Sequence, residues 1–299
     1  MRQRIKPIYI AVFFSFIFIS LIAGHTQVQS LKAEQEALRA AKAAEEKNNN
    51  SKKETKKKKK KKNTTTEAVN LRPIVDLSGW QLPEEIDYDA MAEGISGAII
   101  RVHSGAQAKK ENAATYLNGI DKSYKKHIEE FQKRDIPVAV YAYVAAGSIK
   151  EMQKEAEEFY QASAKYKPTY YWLDVEEKTM SNMDKGVEAF RAKLQELGAK
   201  NIGIYIGTYF MEEHSITTNR FDAVWFPTYG VDSGYYNAAP LTDIEYDLHQ
   251  YTSRGWLPGF DKEVDLNQIS PLKNTAEVYK KLFQRDAADY QHQDVPATE

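Results

Sequence analysis

The chain of 299 residues contains no cysteine. That absence excludes disulfide staples, thiolate metal ligands and a thiol nucleophile. Its six histidines are scattered without the spacing of a ligand set, so no metal site is expected. Neither an internal repeat nor a cofactor motif is present, and no cofactor is expected. A net charge of one sign is nearly absent too, at −1, but the balance hides an asymmetry. Residues 1–70 hold 16 Lys/Arg against 6 Asp/Glu, and the remainder holds 25 against 36. The acidic remainder gives nucleic acid no electrostatic footing. The two parts must do different jobs.

The start, MRQRIKPIYIAVFFSFIFISLIAG, sets Arg2, Arg4 and Lys6 ahead of an apolar run that ends at Gly24. Such a segment reads as an export signal, residues 1–24, either kept as a signal-anchor or cleaved. The expected location is the cell surface, membrane-anchored by this segment, or secreted if the segment is cleaved. Residues 25–70 follow as a linker without a core, including seven successive lysines, Lys56 to Lys62. Like-charge runs solvate and repel, so the tract reads as a spacer, with an anionic wall polymer or membrane surface as its alternative partner.

From Leu71 short apolar runs recur: PIVDLSGW (73–80), GAIIRVHSG (97–105), PVAVYAYV (137–144), YYWLDVE (170–176), NIGIYIGT (201–208), AVWFPTYG (223–230), YDLHQYTS (246–253) and EVDLNQIS (263–270). Amphipathic segments separate the early ones, as where Tyr124, Ile128 and Phe131 form one helical stripe. Alternation of this kind predicts βαβ units and a parallel sheet. After the fifth run the helical stripes fail, and RGWLPGFDK reads as a loop. The expected fold is therefore α/β, an incomplete TIM-like barrel of (β/α)5(β)3 type spanning 71–272. A C-terminal helix and loose tail are expected over 273–299.

Function in such barrels gathers at the carboxyl ends of the strands. Those ends offer Asp76, Asp174, Glu176 and Asp265, with Tyr141, Tyr143, Tyr205, Trp225 and Tyr229 among them. Asp174 and Glu176, two apart on a strand, project from one face, an arrangement that like-charge repulsion penalises. Asp76 and Asp265, from the first and last runs, become neighbours if the barrel closes. Glu177 falls on the opposite face and reads as a surface charge. The bland alternatives are a solvated strand end paired with Lys178, turn caps at Asp76 and Asp265, and ordinary packing for each aromatic ring. Carboxylates ringed by flat apolar faces suit a carbohydrate.

The ordered motifs VDLSGWQ, YAYV, WLDVEE, IYIGTY, WFPTYG, HQYTSRG and VDLN resemble glycoside hydrolase family 25, the Chalaropsis-type lysozymes or N-acetylmuramidases, over about residues 71–270. A D-x-E alone is common by chance; the ordered set is specific. The resemblance implies a peptidoglycan hydrolase that cleaves the β-1,4 bond between N-acetylmuramic acid and N-acetylglucosamine with retention. It implies Glu176 as general acid/base and an ionised Asp174 as stabiliser of the transition state. Direct attack by Asp174 and attack by the substrate's own acetamido group both stay open. The resemblance also implies that Asp76 and Asp265 orient substrate and set electrostatics, with Tyr143, Tyr205, Trp225 and Tyr229 as substrate-binding residues. The partner is then a peptidoglycan glycan strand. RVHSG departs from the family's smaller turn, so His103 and Ser104 bear on substrate preference. A catalytically weak, membrane-tethered glycan-binding module is the competing expectation.

Overall fold

The computed structural model describes residues 70–105 and 111–290. The expected export segment, most of the linker with Lys56 to Lys62, and the last residues of the tail lie outside the described residues. Among the described residues no helix is long and apolar enough to cross a membrane.

Eight strands form one closed barrel in chain order: β1 (Ile74–Leu77), β2 (Gly97–His103), β3 (Val138–Tyr143), β4 (Tyr171–Val175), β5 (Ile202–Ile206), β6 (Ala223–Pro227), β7 (Leu248–Leu257) and β8 (Phe260–Ile269). The strands β1 to β7 run parallel. β1, β4 and β5 are buried at every position, because one face fills the barrel and helices cover the other. Trp172 and Trp225 plug the interior, edge to face with ring centroids 5.5 Å apart. Gly203 makes room for them: a Cβ there would lie 2.3 Å from the Trp172 ring.

The amphipathic segments become α1 (Tyr88–Glu93), α2 (Tyr124–Lys133), α3 (Ile149–Ser163) and α4 (Met183–Leu197). Tyr124, Ile128 and Phe131 form the buried stripe of α2. Side chains of Asp87, Ser148 and Asn182 cap the starts of α1, α3 and α4. Gly198 ends α4 at φ +107°, a conformation that favours a residue without Cβ.

The expectation of an incomplete barrel needs correcting, because the sheet closes. β8 runs antiparallel between β7 and β1, placed by a tight turn at Pro258–Gly259. RGWLPGFDK is thus hairpin where a loop was expected. A hairpin adds a strand without a crossover helix, so closure needed no further helical stripe. What thins is the helical layer. Between β5 and β6 stands only the short α5 (Thr208–Glu213) and a 3-10 turn, and between β6 and β7 there is no helix. There Tyr236 packs edge-on against His249 and Tyr251, at 5.6 and 6.5 Å, covering the outer face of β7. A last helix, α6 (Thr275–Phe283), docks beside β2, where the Tyr279 hydroxyl donates to the Ser96 carbonyl.

Candidate active site

All four strand-end carboxylates reach one pocket at the carboxyl end of the barrel. The cavity is ≈ 130 Å³ and is lined by Asp76, Asp174, Glu176 and Asp265 with Tyr141, Tyr205, Trp225, Tyr229 and Gln250. Register explains the convergence. Asp76 on β1 stands directly across from Asp265 on β8, so closure makes these two neighbours. Asp174 on β4 lies level with Tyr143 and Tyr205 on the adjoining strands. Glu176 follows one residue beyond the end of β4, at the solvent-facing mouth.

Burial holds protons on this cluster. Asp76 rises to about 6, chiefly because it is buried; hydrogen bonds from Asn267 and Gln250 oppose the rise and the charge of Glu176 adds to it. Asp265 rises to about 8 through burial, then through the charges of Asp76 and Glu176. Asp174 goes well above the carboxylate range, by burial first and Glu176 second. Glu176 is raised as well: the pocket wall shields its carboxyl, its hydrogen bond with Asp174 counteracts, and Glu177 adds repulsion. Carboxylates in contact cannot all ionise in low dielectric.

Asp174 and Glu176 act on each other directly. Their carboxyls are within hydrogen-bonding reach of each other. Asp174 is the deeper of the two, and its Oδ1 is buried without a hydrogen-bond partner among the described residues. Both carboxyls are raised, chiefly by burial, and Asp174 goes well above the usual carboxylate range. Arg101 opposes this from β2, its Nε held 3.0 Å from Asp121 Oδ2.

Gln250, which the strand pattern did not single out, organises the opposite wall. Its Oε1 accepts from the hydroxyls of Tyr205 (2.8 Å) and Tyr229 (2.6 Å). Two donors on the oxygen fix the amide orientation, so Nε2 points at Asp76 Oδ2, 2.9 Å away. Asn267 donates to the same oxygen at 2.8 Å and to the Ile74 carbonyl at 3.1 Å. The only sequence signal for either residue is a buried amide at an inward position of a strand.

The aromatic residues divide. Tyr205, Trp225 and Tyr229 line the pocket, while Tyr143 does not. Trp225 is only 2% exposed and stands edge-on to Tyr205 at 4.6 Å, so it forms floor and offers no open face for stacking. Its Nε1 is buried without a partner among the described residues, a free donor. Tyr143 instead meets the Glu177 carboxyl. Glu177 is exposed, as expected of a surface charge, but alternation ends with the strand at Val175 and its carboxyl reaches Tyr143. His103 is buried away from the pocket, Nδ1 accepting from the Gly105 amide at 3.0 Å and Nε2 3.4 Å from Glu158 Oε2. Its burial gives it no route to substrate preference by contact. His127 and His249 each donate from Nε2 to a backbone carbonyl, of Ser78 and Thr228. Among the described residues no three His, Asp or Glu side chains are grouped to hold a metal ion.

Comparison with known proteins gives the same direction as the geometry. The sequence model of glycosyl hydrolases family 25 matches residues 75–260. A solved glycosyl hydrolase 25 of Streptococcus pneumoniae, GHIP, described as a virulence factor participating in host cell invasion, is 64% identical, covering 72% of this chain and 93% of its own, with a TM-score of 0.70. The catalytic domain of endolysin ply40, from bacteriophage P40 of Listeria monocytogenes, is 25% identical over 72% of this chain and 98% of its own, with a TM-score of 0.60. The bacterial lysozyme of Streptomyces coelicolor, 16% identical with a TM-score of 0.54, covers 72% of this chain and 98% of its own and shares the fold. No curated protein matches the chain.

Proposed function

Because this chain belongs to glycosyl hydrolases family 25, we propose that it hydrolyses the β-1,4 bond between N-acetylmuramic acid and N-acetylglucosamine in peptidoglycan, with retention. The observation that carries the reading is the convergence of Asp174 and Glu176 with Asp76 and Asp265 on one pocket at the carboxyl end of the barrel, among Tyr205, Tyr229 and Gln250. A glycan strand seated at the mouth strips water from Glu176, the exposed member, and raises its proton affinity. A proton held by the pair then settles on Glu176 and leaves Asp174 ionised. This one arrangement supplies both groups the reaction needs: a protonated acid at the leaving oxygen and a carboxylate beneath the anomeric carbon.

Glu176 gives its proton to the glycosidic oxygen, the bond from that oxygen to the anomeric carbon breaks, and the leaving sugar departs with a new hydroxyl. The positive charge is met by Asp174, or by the substrate's acetamido oxygen with Asp174 supporting it. Glu176, now ionised, takes a proton from the water that attacks the same face. Asp76 and Asp265 shape the field around these steps, and Gln250 keeps Asp76, Tyr205 and Tyr229 in place. A module that only bound glycan would have no need to hold like-charged groups in contact.

We place the enzyme outside the membrane, with residues 1–24 as export segment or anchor, 25–70 as linker, and 71–272 as the catalytic domain. Proton NMR of the first product from a soluble muramoyl oligosaccharide tests the stereochemistry. The β anomer should appear first; α first would mean inversion. Glu176→Gln should form neither.

A further inference from the structure

The pocket of ≈ 130 Å³ is well below the roughly 300 Å³ at which sites for whole small ligands begin, so it takes the reacting bond and little more. The rest of a glycan strand must lie on the rim. Of the four tryptophans, Trp172 and Trp225 are buried, and Trp80 and Trp256 are 58% and 62% exposed. Trp80 follows four residues after Asp76, just past the end of β1, so its Cα lies within about 14 Å of the Asp76 Cα.

The turn that presents Trp80 is held from several sides. The Gln81 amide donates to the Ser78 carbonyl at 3.1 Å, and Gln81 Oε1 accepts from the Ser78 amide at 3.0 Å. The Trp80 amide donates to Ser78 Oγ at 3.3 Å. From below, the Gly79 amide donates to Asp121 Oδ2 at 2.7 Å, and His127 Nε2 donates to the Ser78 carbonyl at 3.2 Å. A Cβ on Gly79 would meet the Ala114 carbonyl at 2.3 Å, so the turn lies flush on the loop beneath it. An ordered turn thus carries a large, exposed apolar side chain at the end of the barrel that holds the pocket.

We propose that Trp80 is a sugar-stacking platform, covering the apolar face of a pyranose ring bound next to the Asp76 side of the pocket. This rests on the glycan-hydrolase reading and extends it to the rim. The indole offers a broad flat surface, and ring C–H groups present its complement. Because the backbone of the turn is already ordered, binding spends little conformational entropy on placing the residue.

The test uses the full chain in a Glu176→Gln background, titrated with a soluble N-acetylglucosamine–N-acetylmuramic acid tetrasaccharide while tryptophan emission is followed. Binding should change the emission, Trp80→Phe should remove most of that change, and Trp256→Phe should keep it. Without the Glu176 substitution, Trp80→Ala should raise KM on peptidoglycan by about tenfold with kcat nearly constant, and Trp80→Tyr should restore part of the loss. An undiminished emission change in Trp80→Phe, or its loss in Trp256→Phe, would overturn the platform. So would a fall in kcat alone, which would mark Trp80 as support for the turn. If the wild-type chain leaves peptidoglycan uncut, the hydrolase reading fails, while the titration still decides the platform.

Discussion

Burial raises the proton affinity of both Asp174 and Glu176, and the proposed chemistry turns on which of them carries a proton. Replacing Glu176 by Gln removes the acid and should lower kcat by about a thousandfold or more, measured by release of reducing ends. Asp265 allows a prediction on stability. Its carboxyl is raised from 3.8 to about 8, so the folded chain keeps a proton that the unfolded chain gives up. Stability from this group is therefore full below pH 3.8 and falls as pH rises toward 8. Asp265→Asn should raise stability at pH 9 by about 2 kcal/mol and change little near pH 4, read from denaturant midpoints at both pH values. Gln250→Leu strands two tyrosine hydroxyls and one donor site on Asp76, and should cost about 3 kcal/mol. The four acidic positions were legible in the sequence because each interrupts an apolar run at an inward phase. Gln250 and Asn267 were not, since a polar amide between other mixed residues breaks no pattern. Periodicity also gives a face and not a depth, so it could not tell that Trp225, expected to bind substrate, lies in the pocket floor.

At the level of elements, all eight strands were visible as apolar runs, because local pattern suffices for them. The meeting of the first and last runs was expected, but the antiparallel hairpin that brings it about was not visible, since pairing of β8 with β1 is non-local and the turn sits among polar, half-exposed residues. The same non-locality places Asp76 against Asp265. Glu177 shows the boundary effect: two-residue phase fails once the strand ends. The contact between Gly203 and Trp172 can be probed at this scale. Gly203→Ala should cost about 1–3 kcal/mol, because the added methyl meets a ring already packed against Trp225, and thermal unfolding would show it.

Across the whole molecule, the acidic barrel and the basic leader have opposite tasks in the proposed setting. Anionic wall polymer should repel the first and attract the second. Binding of the intact chain to purified walls should therefore weaken as salt rises from about 0.05 to 0.5 M, and a chain lacking Lys56 to Lys62 should lose that dependence. Cleavage of a short soluble glycan should be the same in both chains. The most direct measurement of the central claim is the product itself. Wild-type and Glu176→Gln chains are incubated with purified peptidoglycan, and the fragments are reduced and identified by mass spectrometry. Fragments ending in reduced muramic acid from the wild type, and none from Glu176→Gln, are the result expected of a muramidase whose acid is Glu176. Intact glycan from both, with both still sedimenting with the wall, would contradict it and leave the pocket as a binding site.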